Sequence, residues 1–351
     1  MKFTKKLLAA LLAVLMIVPL CAVGSSAKTT TKYKGKSMVV LGDSIAAGFG
    51  LAEGSTDMVT QVLAMPHGEF VAKSWPLAIR DQFGFSKETS VNLSRSMWGT
   101  REFLRLLDKD FESELCKPEN TFDQYMSDYL MVFTEVTSPG DALRLAQQIR
   151  GAIEQADVLF FSLCANDIMT SSILKPLMLP FYQVFGRQAG YALATVTEGK
   201  VQFPATPEGW ARFALGTLEF DDMVADSRRR TQQFLVNYDR LLGIIYKLNP
   251  DVKVYTMGMT NPFRGLKTIN DQDSTVLDPL TWENIQVIKN HVTKTSKYAK
   301  RVTYIDCADV GGHGFGNAYS VQFLLDFVVH VHPDAENHKL IAKHVAAALN
   351  K

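Results

Sequence analysis

Val39-Val40-Leu41-Gly42-Asp43-Ser44-Ile45-Ala46-Ala47-Gly48-Phe49-Gly50 reads as a buried strand, a tight glycine turn and the opening of a helix. The strand, Ser37 to Leu41, is the first of five short apolar runs; the others are Ser90 to Leu93, Val158 to Leu163, Val252 to Met257 and Val302 to Ile305. Most are rich in Val, Ile, Leu or aromatic residues, as expected of parallel strands covered on both faces. Helical spacing fills the intervals. Arg144 to Ala156 carries Leu145, Ile149 and Ile153, Thr231 to Leu248 carries Leu235, Tyr238, Leu242 and Ile245, and Trp282 to Tyr298 follows a similar period. Strand and helix in alternation predict right-handed βαβ units. The fold class is therefore α/β, a three-layer α/β/α sandwich on a five-stranded parallel sheet, with Ser44 at the sheet's carboxyl edge.

The chain has 351 residues, 47% hydrophobic and 21% charged, which excludes collagen-like, disordered and disulfide-scaffold classes. Lys and Arg number 37 against 36 acids, and no basic stripe alternates with aromatics, so nucleic acid is not an expected partner. Lys2, Lys5 and Lys6 precede an uncharged apolar run from Leu7 to about Val23, followed by Gly24, Ser25, Ser26 and Ala27. That order predicts a secretory signal peptide, residues 1–27, cleaved after Ala27, and a secreted chain with no membrane span after cleavage. The run is at the short edge of the roughly 17–25 apolar residues a spanning helix needs. Leu20 before Cys21 argues against a lipoprotein signal. Removal takes three lysines and no acid, leaving 324 residues with 34 basic against 36 acidic, a formal charge of −2. Cys116, Cys164 and Cys307 then remain, permitting at most one intramolecular disulfide, and no Cys-x-x-Cys or His-x-x-x-His spacing suggests a metal.

Residues 28–351 read as one domain, since no linker or repeat divides them. Two excursions interrupt it, at about 110–138 and 168–229, both with aromatic and Met-containing apolar stretches. In the second, stretches within Ile173 to Phe185 and Tyr191 to Phe213 are candidates for short helices over a pocket, interrupted by Pro176, Pro180, Pro204 and Pro207. A layer that simply thickens one side of the fold is the alternative.

Gly42-Asp43-Ser44 directly after the first strand resembles the first block of the SGNH/GDSL hydrolases. Val91 to Thr100 resembles the second block in its strand, opening Asn92 and closing Thr100, with Met97 where the family places the glycine that donates a backbone N–H to the oxyanion hole, and Gly99 two residues later. Any non-Pro residue carries that donor, so Met97 and Gly99 stand as alternatives. Cys164-Ala165-Asn166-Asp167 after the third strand resembles the family's Gly-x-Asn-Asp, which implies Asn166 as side-chain oxyanion donor beside the Ser44 N–H. Cys164, in the glycine's place, reads as a buried, inert thiol. Asn261-Pro262-Phe263 is similar to a loop of bacterial members, and His330 to Ala342 resembles the closing block, with His332-Pro333 before a C-terminal helix.

The resemblance implies Ser44 as nucleophile and His332 as general base, in a flavodoxin-like SGNH hydrolase fold. Family members place an Asp three or two residues before this His, and those positions hold Val329 and His330. Asp326, Asp334 or a backbone carbonyl are the alternatives for orienting His332. The implied function is a secreted GDSL-type esterase or lipase that cleaves carboxylic esters, lipid or acetylated glycan, small or polymer-linked, with no metal or organic cofactor. The competing expectation is a catalytically impaired protein of this fold that binds cell-wall glycan or lipid. A cofactor-binding flavodoxin-like protein is disfavoured, because no phosphate-cradling glycine-rich loop appears.

Overall fold

The computed structural model describes residues 31–51, 69–115, 136–170, 220–264, 274–312 and 331–351, with Gln124, Ser127, Asp128 and Met131. Strands β1 (Met38–Gly42), β2 (Val91–Asn92), β3 (Val158–Ser162), β4 (Lys253–Met257) and β5 (Val302–Ile305) form one sheet in the order β2-β1-β3-β4-β5. Every neighbouring pair is parallel. This is the flavodoxin-like doubly wound order. β1 and β3, the two inner strands on that side, are buried along their whole length, which is why they read as unbroken apolar runs. The edge strand β5 is buried only at Ile305.

Eight helices surround the sheet among the described residues: α1 (Ser44–Ala47), α2 (Trp75–Phe83), α3 (Thr100–Leu107), α4 (Phe111–Leu115), α5 (Pro139–Glu154), α6 (Phe220–Leu248), α7 (Ser274–Asn290) and α8 (Ala335–Leu349). Alternate strand residues serve opposite layers. Val39, Leu41, Leu159, Phe161 and Val254 pack with Phe103 of α3, Ile149 of α5, Tyr238 of α6 and Ile285 of α7. Met38, Val40, Phe160 and Met257 pack with Trp75 and Phe83 of α2 and with Ile341 and Val345 of α8. Each such large side chain fully buried contributes about 1.5–3 kcal/mol, so the two clusters fix the three layers.

The element ends differ from the apolar periodicity for local reasons. α5 starts at Pro139, not Arg144, because Ser138 accepts the Asp141 N–H at 3.1 Å and Pro139 occupies the first turn, whose residues are mostly exposed. α6 starts at Phe220, so it reaches back into the second excursion. Its first part is polar, and Arg229 and Arg230 pair with Asp226 at 2.9 and 2.6 Å one turn away, which supports helix without apolar spacing. α7 begins at Ser274 and passes into a wide turn at His291–Thr295. At β2, Ser90 Oγ replaces a ladder partner by accepting the Met38 N–H at 3.0 Å. In the first excursion α4 forms at Phe111–Leu115. The signal segment 1–27, Cys116 and the short helices expected within 173–213 lie outside the described residues. No helix among the described residues is long and apolar enough to cross a membrane.

Candidate functional site

The chain leaves β1 toward α2 on one face and leaves β3 toward α6 on the other, which makes the carboxyl ends of β1 and β3 the topological switch point where open α/β sheets place their sites. Ser44 stands there as the first residue of α1. Asp43 caps that helix by accepting the Ile45 N–H at 3.0 Å, and Gly48, at φ 82°, ends it in the left-handed region that favours glycine. The cap and the short helix fix the direction of the Ser44 side chain.

Ser44 Oγ lies 2.6 Å from His332 Nε2, although 288 positions separate the two residues. The hydroxyl donates when the imidazole carries its own proton on Nδ1. His332 is half-buried, its ring 4.6 Å from that of Phe49. It reaches Ser44 because α8 packs against α2, across the face of the sheet from β5. His338 Nδ1, on the first turn of α8, accepts the Trp75 N–H at 3.3 Å. Asp334 caps α8 by accepting the Asn337 N–H at 2.8 Å. Of the candidate orienting acids, Asp334 thus holds the helix start beside His332, and Asp326 lies outside the described residues.

The turn after β2 is tied to this frame. Asn92 Nδ2 donates to the Ala46 and Glu69 carbonyls, each at 2.9 Å, and its Oδ1 accepts the Ser94 N–H at 3.1 Å. The Leu93 N–H donates to the Val40 carbonyl at 2.8 Å and the Arg95 N–H to that of Gly42 at 3.0 Å, carrying the turn past the end of β1. Met97 then takes φ 65°, the conformation a glycine adopts without strain. The Gly99 N–H donates to Glu102 Oε2 at 2.8 Å, the reciprocal arm of a helix cap. After β3, Asn166 Nδ2 donates to the Trp98 carbonyl at 3.0 Å. Asp167 accepts the Thr100 N–H at 2.9 Å and the Thr100 hydroxyl at 2.6 Å. In the loop after β4, Asn261 Oδ1 accepts the Phe263 N–H at 3.2 Å, an Asx turn, while its amide donates to Asp278 at 2.6 Å.

Three carboxylates, Asp43, Glu102 and Asp167, lie in the segments that follow β1, β2 and β3. Burial, reinforced by the charge of Asp167, pushes Asp43 up to about 7 against the pull of the Ile45 and Ala46 N–H groups. Burial and the charge of Glu102 push Asp167 up to about 6 despite its Thr100 bonds. Burial alone would raise Glu102, but the Arg101 guanidinium and the Gly99 N–H more than offset it and hold that carboxyl below its ordinary value. Burial raises the Cys164 thiol well above its usual range, as the inert reading expects, and Cys164 and Cys307 are both free.

Ser44 and His332 therefore meet, and the turns bearing Met97 and Asn166 follow the two strands that flank β1. The roles of Asp167, Thr100 and Glu102 escaped the sequence reading. Glu102 three residues after Gly99 carries the spacing of a helix cap and was the available signal. Among the described residues no group of three or more His, Cys, Asp or Glu is placed to hold a metal ion.

No family model matches the chain, and no curated protein matches it. Among solved structures it is similar to an extracellular lipase from Streptomyces rimosus, at 13% identity over 90% of this chain and 99% of that one, with a TM-score of 0.47. A phospholipase A1 from Streptomyces albidoflavus NA297 is similar at 11% identity over 90% and 98%, with a TM-score of 0.45. A family two carbohydrate esterase from Clostridium thermocellum is similar at 12% identity over 91% and 65%, with a TM-score of 0.39.

Proposed function

We propose that this chain is a secreted serine esterase of the SGNH type, with Ser44 as nucleophile and His332 as general base. The observation that carries the reading is the 2.6 Å contact between Ser44 Oγ and His332 Nε2 at the carboxyl edge of the sheet. A serine hydroxyl is too weak an acid to attack unaided near neutral pH, and an imidazole within hydrogen-bond reach removes that obstacle.

In the proposed cycle Ser44 Oγ adds to the ester carbonyl carbon as its proton passes to His332 Nε2. The carbonyl oxygen becomes an oxyanion, for which the Ser44 N–H, the Met97 N–H and the Asn166 amide are the proposed donors. The C–O bond to the alcohol then breaks, and His332 returns the proton to the departing alkoxide. Water, deprotonated by the same imidazole, adds to the acyl-serine; the C–Oγ bond then breaks, His332 returns the proton to Ser44 Oγ, and carboxylic acid and free Ser44 result. This chemistry calls on a hydroxyl, an imidazole and amide donors alone. The export half of the proposal is that residues 1–27 are a signal peptide removed after Ala27.

Hydrolysis of p-nitrophenyl acetate, butyrate and a long-chain ester by the mature chain, beside Ser44→Ala and His332→Ala, tests the reading. Turnover abolished in both variants is the expected result, and the chain-length profile separates a deacetylase from a lipase. Equal rates for the parent and a folded Ser44→Ala on every ester would overturn it. N-terminal sequencing of the exported protein should begin at Lys28.

A further inference from the structure

Two successive residues grip the start of α3 from either side of Gly99. Asn166 holds the Trp98 carbonyl at 3.0 Å, while Asp167 accepts both the N–H and the hydroxyl of Thr100, at 2.9 and 2.6 Å. Between these contacts Gly99 is hemmed in, since a Cβ there would stand 2.5 Å from Asp167 Oδ2. Its N–H is taken by Glu102. The segment from Trp98 to Thr100 is thus held at each residue, and Met97 precedes it directly.

Asp167 takes no part in the proposed proton transfers, and it is not there as an indifferent filler. Its carboxylate is kept where burial and the neighbouring Glu102 both oppose its charge. What it supplies is a paired acceptor for two donors of one residue, Thr100, which a carboxylate meets with its two oxygens. We propose that Asp167 is the positioning residue of the oxyanion hole, fixing the Met97 N–H relative to the Asn166 amide by clamping Thr100 to the turn after β3. The inference rests on the assignment of Met97 and Asn166 as oxyanion donors. Such donors act only when preorganised, and a displacement of 1 Å at a reacting centre can lower the rate roughly a hundredfold.

The test compares the parent, Ser44→Ala, Asp167→Ala, Asp167→Asn and Thr100→Val by steady-state hydrolysis of p-nitrophenyl butyrate and by the rate of labelling with a fluorophosphonate. In Asp167→Ala, kcat should fall about a hundredfold and labelling should slow in parallel, with KM within about threefold of the parent. Asp167→Asn should recover most of the loss, because its Oδ1 can accept the Thr100 N–H while its amide donates to the Thr100 hydroxyl. A merely structural carboxylate would leave kcat and labelling of the folded variant near the parent's, which overturns the proposal. So would Asp167→Asn as slow as Asp167→Ala, since charge and not position would then be at work. Should Asp167→Ala not fold, Thr100→Val removes only the hydroxyl contact: a fall of about tenfold in kcat at constant KM supports the clamp, and parental kcat overturns it. Failure of the esterase reading itself is distinct, for the parent would then match Ser44→Ala in both turnover and labelling, and the inference would fall with it.

Discussion

His338 Nδ1 accepts the Trp75 N–H at 3.3 Å, joining the first turn of α8 to the first turn of α2 across 263 positions of chain. His332 stands just before α8, so this contact ties the segment whose imidazole meets Ser44 to α2.

Replacing His338 by Leu leaves the buried Trp75 N–H without this acceptor. Stability should fall by about 1–3 kcal/mol, measured as a lower denaturant midpoint at unchanged m-value. An unchanged midpoint would show that the contact contributes nothing to holding α8.

Gly99→Ala places a Cβ within 2.5 Å of Asp167 Oδ2, which itself accepts the Thr100 N–H, so neither side can withdraw freely. A loss of about 1–3 kcal/mol is expected from overpacking, again read from equilibrium unfolding. Gly151, whose Cβ would meet nothing within 4 Å, is the control, and Gly151→Ala in the last turn of α5 should stabilise by up to about 0.5–1 kcal/mol.

Asp43 sets a pH dependence of stability. Its carboxyl rises from 3.8 in the ordinary state to about 7 in the fold, so the folded chain holds the proton more tightly than the unfolded chain. Its contribution is present in full below about 4 and is lost as pH rises through about 7. Asp43→Asn, which keeps a capping side chain, should therefore gain on the parent as pH rises from about 4.5 to 8, and the two should converge at the acidic end. Parallel unfolding curves across that range would contradict this.

Asn166→Ala removes a donor proposed for the oxyanion and releases the Trp98 carbonyl. On p-nitrophenyl butyrate kcat should fall about 100–1,000-fold, with little change in KM. A rise in KM at constant kcat would instead make Asn166 a ground-state contact.

Much of the frame was legible in the sequence, because the full burial of β1 and β3 leaves continuous apolar runs. The start of α5 at Pro139 was not, since its first turn carries no apolar period. The start of α6 was not legible, because Asp226, Arg229 and Arg230 support that helix by ion pairs that leave no apolar period. The role of Asp167 was equally hidden, since its partner Thr100 lies 67 residues away.

By itself the sequence determined the alternation of strand and helix and the turns that carry Ser44, Met97 and Asn166, because spacing, capping and φ preference act over a few residues. Tertiary structure alone decided which of these groups meet. The sheet order brings the turns after β2, β1 and β3 side by side, α8 crosses to α2 and delivers His332 to Ser44, and Glu102 accepts the Gly99 N–H. Those outcomes depend on how distant elements pack, and hydrogen bonds between them form only after the apolar faces of the layers have been buried.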